Sequence, residues 1–360
     1  MNKYIIITAL CFGMTLLCNS CVEIFDTKEY KYEILKSEDS KNLVFLHYGP
    51  HIVGIDTATF TVKAHVRMND MVFGGVAKLP TGGIAFTHHR RASSNTWGST
   101  LYVTDAQYNI VNKYAICPSP MAPKVINNVL MVGSTAYEEG GTMKFQLYNT
   151  NGFGLIKEFL FEDMVDAWII AEYENYAYFG VSVDDNPSKE RRYSYVVQLD
   201  LNNGNKTEYS LKNDFFKEST YSICRQDSIL YVFNRTKKDI CTINLNNQSI
   251  SNVVPISKYP EIAATNAWNV AHPKAMREHL YSFLGGFDEQ GFSCYRVKLN
   301  ASTFVLEDIK EIKMPIVSGD TGAAEQFLAG RFLVSRIENY VLFIDVESGE
   351  IVETVTLDID

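Results

Sequence analysis

The stretch FIDVESGEIVETV (343–355) reads as an apolar strand ending in Asp345, a short polar turn through Gly349, and a second strand. The same phrase stands at HIVGIDTATF (51–60), TLYVTDAQYN (100–109), KFQLYNTNGFG (144–154), YVVQLDLNNGN (195–205), ICTINLNNQS (240–249) and CYRVKLNASTF (294–304). Each strand closes on an Asp or Asn: Asp56, Asp105, Asn149, Asp200, Asn244, Asn300 and Asp345. These side chains suit the place because they bond nearby backbone amides and tolerate left-handed neighbours. Their spacings are 49, 44, 51, 44, 56 and 45 residues. A period in the forties with several strands per period indicates the blades of a β-propeller.

The rest of each period agrees. Two strands precede the marked one, as in WIIAEYENYAYFGV (168–181), SICRQDSILYVF (222–233) and QFLAGRFLVS (326–335). A fourth follows, as in FTVKAHVR (60–67), NIVNKYAI (109–116) and EIVETVTL (350–357). The fold class is therefore all-β: a seven-bladed propeller with four antiparallel strands, a to d, in each blade. YEILKSEDSKNLVFLH (32–47) is expected to supply strands a and b of the first blade, so that every blade is built from consecutive sequence. Residues 22–30 could add an edge strand.

On the strand–Asp–turn–Gly–strand phrase and on APKVINNVLMVGS (122–134), the chain resembles the YncE-like and quinoprotein-like seven-bladed propellers of exported bacterial proteins. The resemblance implies a scaffold and not an activity. The WD dipeptide of eukaryotic propellers and the sialidase S-x-D-x-G-x-x-W box are absent.

The N-terminus reads as a processing segment. Lys3 precedes the apolar run YIIITALCFGMTLL (4–17), which is too short to span a membrane comfortably. Ser20 then stands directly before Cys21, and the segment resembles a bacterial lipobox in which Cys21 is acylated. Cys18 and Asn19 depart from that pattern. The expected organisation is a signal peptide over 1–20, a tether over 21–30 and the propeller over 31–360. The lipobox and the Asn/Lys/Ile-rich usage resemble lipoproteins of Bacteroidota. A cell-envelope protein is expected, tethered by lipid to a bacterial membrane, the outer one by preference. The net charge of −9 repels phosphate backbones, so nucleic acid is not an expected partner, and a monomer is expected. Cys117, Cys224, Cys241 and Cys294 are widely spaced without a CxxC and read as buried small hydrophobes.

Strand direction places the b–c and d–a connections on one face of the disc and the a–b and c–d turns on the other. The long connections all fall on the first face: 88–99, 135–142, 184–192 and 285–291 between b and c, with 257–267 and 317–323 between d and a. Long loops on a rigid scaffold are where binding residues concentrate. The loop HHRRASSNTW (88–97) carries Arg90, suited to a carboxylate, a phosphate or a sugar, although a solvated hairpin tip has the same composition. Its adjacent His88 and His89 point to opposite faces of a strand and do not converge on a metal. Asp166 and Trp168 open one channel-lining strand, Trp268 and His272 another, and Glu325 with Gln326 a third. Trp168 and Trp268 suggest a stacking platform at the channel mouth, or large anchors between blades.

No GxSxG, HExxH, P-loop, GxGxxG or EF-hand pattern occurs, so no catalytic residue, cofactor or metal ligand is assigned. The expected function is a ligand- or protein-binding scaffold that uses Arg90, Trp168, Trp268 and His272 and is not catalytic. The alternative is a metal-dependent propeller lactonase or hydrolase assembled from carboxylates of several blades.

Overall fold

The computed structural model describes residues 31–69, 72–91, 97–116, 122–135, 143–161, 170–181, 195–210, 221–234, 238–251, 253–265, 269–288, 291–314 and 325–358. Their strands form seven antiparallel sheets, the blades of an all-β propeller. Blade 1 holds β1 (Tyr32–Ser37), β2 (Leu43–Tyr48), β3 (His51–Asp56) and β4 (Thr61–Met68). Blade 2 holds β5 (Val72–Lys78), β6 (Ile84–Arg91), β7 (Trp97–Thr104) and β8 (Ile110–Ile116). Blade 3 holds β9 (Lys124–Ile126), β10 (Val129–Thr135), β11 (Met143–Asn149) and β12 (Leu155–Phe161). Blade 4 holds β13 (Ile170–Tyr173), β14 (Tyr176–Val181), β15 (Tyr195–Asp200) and β16 (Lys206–Ser210). Blade 5 holds β17 (Tyr221–Gln226), β18 (Ile229–Asn234), β19 (Asp239–Asn244) and an outer strand in two pieces, β20 (Ser249–Ile250) and β21 (Val254–Pro255). Blade 6 holds β22 (Asn269–Met276), β23 (His279–Asp288), β24 (Gly291–Asn300) and β25 (Leu306–Ile312). Blade 7 holds β26 (Glu325–Ala329), β27 (Phe332–Ile337), β28 (Tyr340–Asp345) and β29 (Ile351–Thr356).

Alternate residues of each strand point to opposite faces of its sheet, and both faces are apolar. Each face is buried against a neighbouring blade. One cluster joins Leu101 and Val103 of β7 to Leu130 and Val132 of β10. Another joins Leu46, Val53 and Ile55 of blade 1 to Val334, Val341 and Phe343 of blade 7, and this one closes the ring. Cys224, Cys241 and Cys294 lie buried in these seams as free thiols. Burial pushes the Cys241 and Cys294 thiols up to about 12, so they stay neutral and unreactive.

All seven predicted anchors make the expected turn. An Oδ1 of Asp56, Asp105, Asn149, Asp200, Asn244, Asn300 and Asp345 accepts a backbone N–H two or three residues on, at 2.7–3.0 Å. The chain then passes through left-handed backbone at Phe60, Tyr108, Phe153, Gly204, Gln248, Phe304 and Gly349, with φ between +54° and +69°. Glycine is the usual occupant of such a position. At Gly349 it is also a matter of space, because a Cβ there would lie 3.1 Å from Arg296 Nε of blade 6.

Four of the seven turns instead carry an aromatic ring. Phe60 stands edge-on to Phe332 and Phe343 of blade 7, Tyr108 to Phe45 of blade 1, and Phe304 to Tyr231 of blade 5. Phe153 is buried in the seam between blades 2 and 3. Left-handed backbone costs a residue with a Cβ roughly 1–2 kcal/mol. Burying a phenyl ring returns about 1.5–3 kcal/mol, so burial wins.

The first blade departs from expectation. Residues 32–37 do not form a hairpin with 43–48; β1 pairs with β4, and the order is β1-β4-β3-β2. Phe45 of β2 meets the c–d turn of the next blade as Tyr231 of the second strand β18 does. β2 therefore holds the second position, and β1 lies outside the fourth. The chain then crosses beneath the first c–d turn, where the Ser40 hydroxyl donates to Asp56 Oδ2 at 2.5 Å and Thr57 N–H donates to Asn42 O at 3.1 Å. Among the described residues no strand pairs with the inner edge of β2.

Two of the expected long loops are also shorter. β6 and β7 continue pairing to Arg91 and Trp97, and β23 and β24 to Asp288 and Gly291. The segment 257–267 carries a short 3-10 turn (Ile256–Lys258) and one helix, α1 (Pro260–Ala263).

Strain held in the turn gives an ordering that burial alone would not. Phe304→Ala keeps the strained backbone and empties the seam, and should destabilise the protein by about 3–5 kcal/mol. Phe304→Gly empties the same seam but relieves the strain, and should be milder by about 1 kcal/mol. Urea unfolding of the two variants checks this; a more stable alanine variant would mean that no strain is held there.

Candidate functional site

Strand direction brings the start of each inner strand and the end of each second strand to one face. At the junction of blades 7 and 1 this creates a half-buried polar cluster. Glu325, the first residue of β26, turns Oε2 toward blade 1. That oxygen accepts the backbone N–H of His47 at 3.2 Å and lies 3.3 Å from its Nδ1. It therefore caps an inner-edge donor of β2 that in a complete sheet would meet a strand carbonyl.

Arg336 pairs with Glu325 across β26 and β27, its Nε 3.9 Å from the same oxygen. Its Nη1 donates to Glu338 O at 3.2 Å, and its guanidinium lies over the Tyr48 ring, 5.3 Å from the centroid. Burial pushes the Arg336 pKa down, against the opposing pull of Glu325 and Tyr48. Alongside, Gln326 donates to the Ser335 hydroxyl at 3.0 Å.

The polar track continues outward. Tyr48 pairs with His51 across the Gly49–Pro50 turn, and His51 pairs with Arg67. His51 Nδ1 lies 2.9 Å from His65 Nε2, with His51 itself buried. All of these side chains share the face of blade 1 that packs on blade 7, because they alternate with Val53 of the closing cluster or pair beside it. Among the described residues no three His, Cys, Asp or Glu side chains are grouped to hold a metal ion.

The expected site residues fall as follows. Trp168, Trp268 and Cys21 lie outside the described residues, as do Asp166 and Asp320. Arg90 sits on β6, its backbone paired with Gly98, and not in the loop; its side chain is outside the description. His272 is half-buried on the inner strand β22 of blade 6, part-way along it and not at its start. It occupies a bulge in which His272 and Pro273 together face one residue of β23, and it holds φ +49°. Left-handed backbone before a proline is doubly unfavourable, and bulges of this kind re-aim a side chain.

Glu325 was visible in the sequence as a residue opening an inner strand. His47, Tyr48, His51, His65 and Arg336 were not. A signal for the first three existed: the two-residue Gly49–Pro50 turn forces Tyr48 opposite His51 and sets His47 on the other edge.

No family model and no curated protein matches this chain. Among solved structures it is similar to BamB from Moraxella catarrhalis, at 10% identity over 91% of each chain with a TM-score of 0.51. It is similar to KlAtg21 in complex with the coiled-coil of AgAtg16, at 10% identity over 91% of this chain and 99% of that one, TM-score 0.56. The dihydro-heme d1 dehydrogenase NirN in complex with DHE matches at 13% identity over 91% of this chain and 78% of that one, TM-score 0.51. At such identities the likeness establishes the fold, a propeller, and nothing finer.

If Glu325 is the cap of the first blade, Glu325→Ala should lower stability by about 1–3 kcal/mol, since it orphans a backbone donor and removes the countercharge beside the Arg336 guanidinium. Glu325→Gln keeps an acceptor and should cost about half as much. Chemical denaturation decides; a neutral alanine variant would show that these contacts are incidental.

Proposed function

We propose that this chain is an exported propeller, lipid-anchored through Cys21, that binds a ligand or partner protein on the face carrying the b–c and d–a connections. The observation that carries this reading is the asymmetry of the disc. The described c–d turns are closed by side-chain caps, whereas the strand ends that flank the longer connections all come out on the opposite face, beside the inner strand starts. Rigid scaffolds with one loop-bearing face commonly bind there. Arg90, Trp168, Trp268 and His272 are the proposed contacts, with Glu325 and Arg336 added from the junction of blades 7 and 1. The ligand chemistry these residues suit is anionic or sugar-like: guanidinium for a carboxylate or phosphate, indole faces for a ring.

A YncE-like lineage and a Bacteroidota source belong to the same proposal, supported by the repeat phrase and the Ser20–Cys21 junction. No helix among the described residues is long and apolar enough to cross a membrane, which is compatible with attachment by lipid. That the solved KlAtg21 propeller is found with a coiled-coil gives a precedent for a protein partner on this fold.

Two measurements test the proposal. Cys21→Ser should leave an unlipidated product that no longer partitions with membranes, while Cys18→Ser should change nothing. Mass spectrometry of the mature N-terminus reads this directly, and a mature chain beginning elsewhere without lipid ends the lipoprotein reading. For the binding face, Trp268→Ala should weaken binding of an anionic or sugar-like ligand by about 1–3 kcal/mol, the scale of one stacking contact. It should leave folding largely intact. A destabilisation of about 3–5 kcal/mol would instead mark Trp268 as a packing anchor.

A further inference from the structure

The seam that closes the ring differs from an ordinary apolar one. Its outer and loop-face portion holds the buried His51 and the half-buried His65 in contact, with Arg67 beside them and Arg336 over Tyr48 at the inner end. A nitrogen-to-nitrogen hydrogen bond of 2.9 Å needs a proton on one ring and a lone pair on the other. Two neutral imidazoles satisfy it. A second added proton removes the lone pair and sets two imidazolium rings against each other in a poorly hydrated seam.

The charged and titratable surroundings do not offset that. Arg67 lies on the same strand as His65, and the Arg67 Nε is buried without a hydrogen-bond partner. From β1, Glu33 stands opposite Arg67 and is held by Lys31, and Lys36 stands opposite His65 and is bridged to Glu38. Further along β4, Lys63 is also held by Glu38. From β2, Tyr48 flanks His51 beneath Arg336. Blade 7 presents Val341, Phe343 and Leu357, with Val355 and, opposite Phe343, Glu353. Glu33 and Glu38 are thus already paired with lysines, Tyr48 is neutral, and the charged group that acts on both rings is Arg67.

We propose that His51 and His65 form an acid-operated latch: their joint protonation loosens the seam between blade 1 and blade 7, and with it the Glu325–His47–Arg336 cluster at the inner end. The latch is a property of the described fold and stands whether or not that cluster binds a ligand. Burial, followed by the repulsion of neighbouring positive charge, holds both rings below the ordinary histidine value of 6.5. The opened form therefore binds protons more readily than the closed one. The latch is fully closed above about pH 6.5 and weakens as pH falls through and below that value. Among the described residues blades 1 and 7 share no strand and are tied by side chains, which makes this the seam where such a device would matter.

Hydrogen exchange of the mature chain between pH 7.5 and 5.0, scaled for intrinsic exchange, reads the latch. Protection in β3, β4 and β29 should fall by about tenfold or more, as one or two linked protons imply. β15 in blade 4, distant from the pair, should hold its protection. The double variant His51→Gln with His65→Gln should remove the pH dependence of the seam. The proposal is overturned if seam protection is flat in the wild type, if β15 loses protection equally, or if the double variant keeps the same profile. Should that variant fail to fold, imidazole titration of the wild type by NMR decides. Both rings titrating at or above 6.5 would overturn the latch, and values below it together with the local loss of protection would support it.

Discussion

A sheet with apolar side chains on both faces cannot be stable alone in water, and every blade here is such a sheet. Seven inter-blade clusters, one per seam, answer that constraint by giving each blade a neighbour on either side. The rest of the structure follows from keeping those seams tight. The c–d turn is the piece that does so: an Asp or Asn side chain closes it, and in four blades the left-handed residue that follows reaches into the preceding blade. Where that residue is aromatic it fills the seam. Where it is glycine, as at 204 and 349, a long cation from the previous blade lies against it instead, and Lys157 and Lys310 each donate to a turn carbonyl, at 2.8 and 3.2 Å. One local geometry thus serves two kinds of packing.

This division explains what was legible in the sequence. Asx turns are local, so seven anchors at intervals in the forties suffice to count the blades and orient their strands. The first blade is not legible in the same way, because alternation specifies that a segment is a strand, not which edge of the sheet it joins. Tyr32–Ser37 alternates acceptably at either edge; its pairing with β4 is fixed by contacts such as Tyr32 Oη–H to Tyr108 O at 2.6 Å, which span 76 residues. The bulge at His272 was invisible for a different reason. A proline in a strand signals a disturbance, but the direction in which it turns the preceding side chain depends on the partner strand.

The closing cluster is the extreme case. Glu325 and Arg336 meet His47 and Tyr48 across some 280 residues of chain, so no window of sequence contains the site. Only the ring topology, once known, says that the last blade must face the first. Residues that look unremarkable singly (a histidine on each side of a tight turn, an arginine in a β-run) then fall at one junction.

That surface also shows how the molecule divides stability from responsiveness. Propellers that share a strand between first and last blades tie the ring with main-chain hydrogen bonds, which are insensitive to pH. Among the described residues each sheet is built from consecutive strands, and blades 1 and 7 meet through the Phe60–Phe332–Phe343 trio, the apolar cluster around Val53 and Val341, and the polar track from Glu325 to Arg67. The apolar part is indifferent to protons. The polar part is not, and it lies on the face toward which the longer connections run. A ring held shut by an apolar seam on the side of the capped turns and a titratable one on the loop-bearing side can loosen at the loop-bearing face without losing its fold, which places any proton-dependent movement beside the proposed binding face and away from the capped turns.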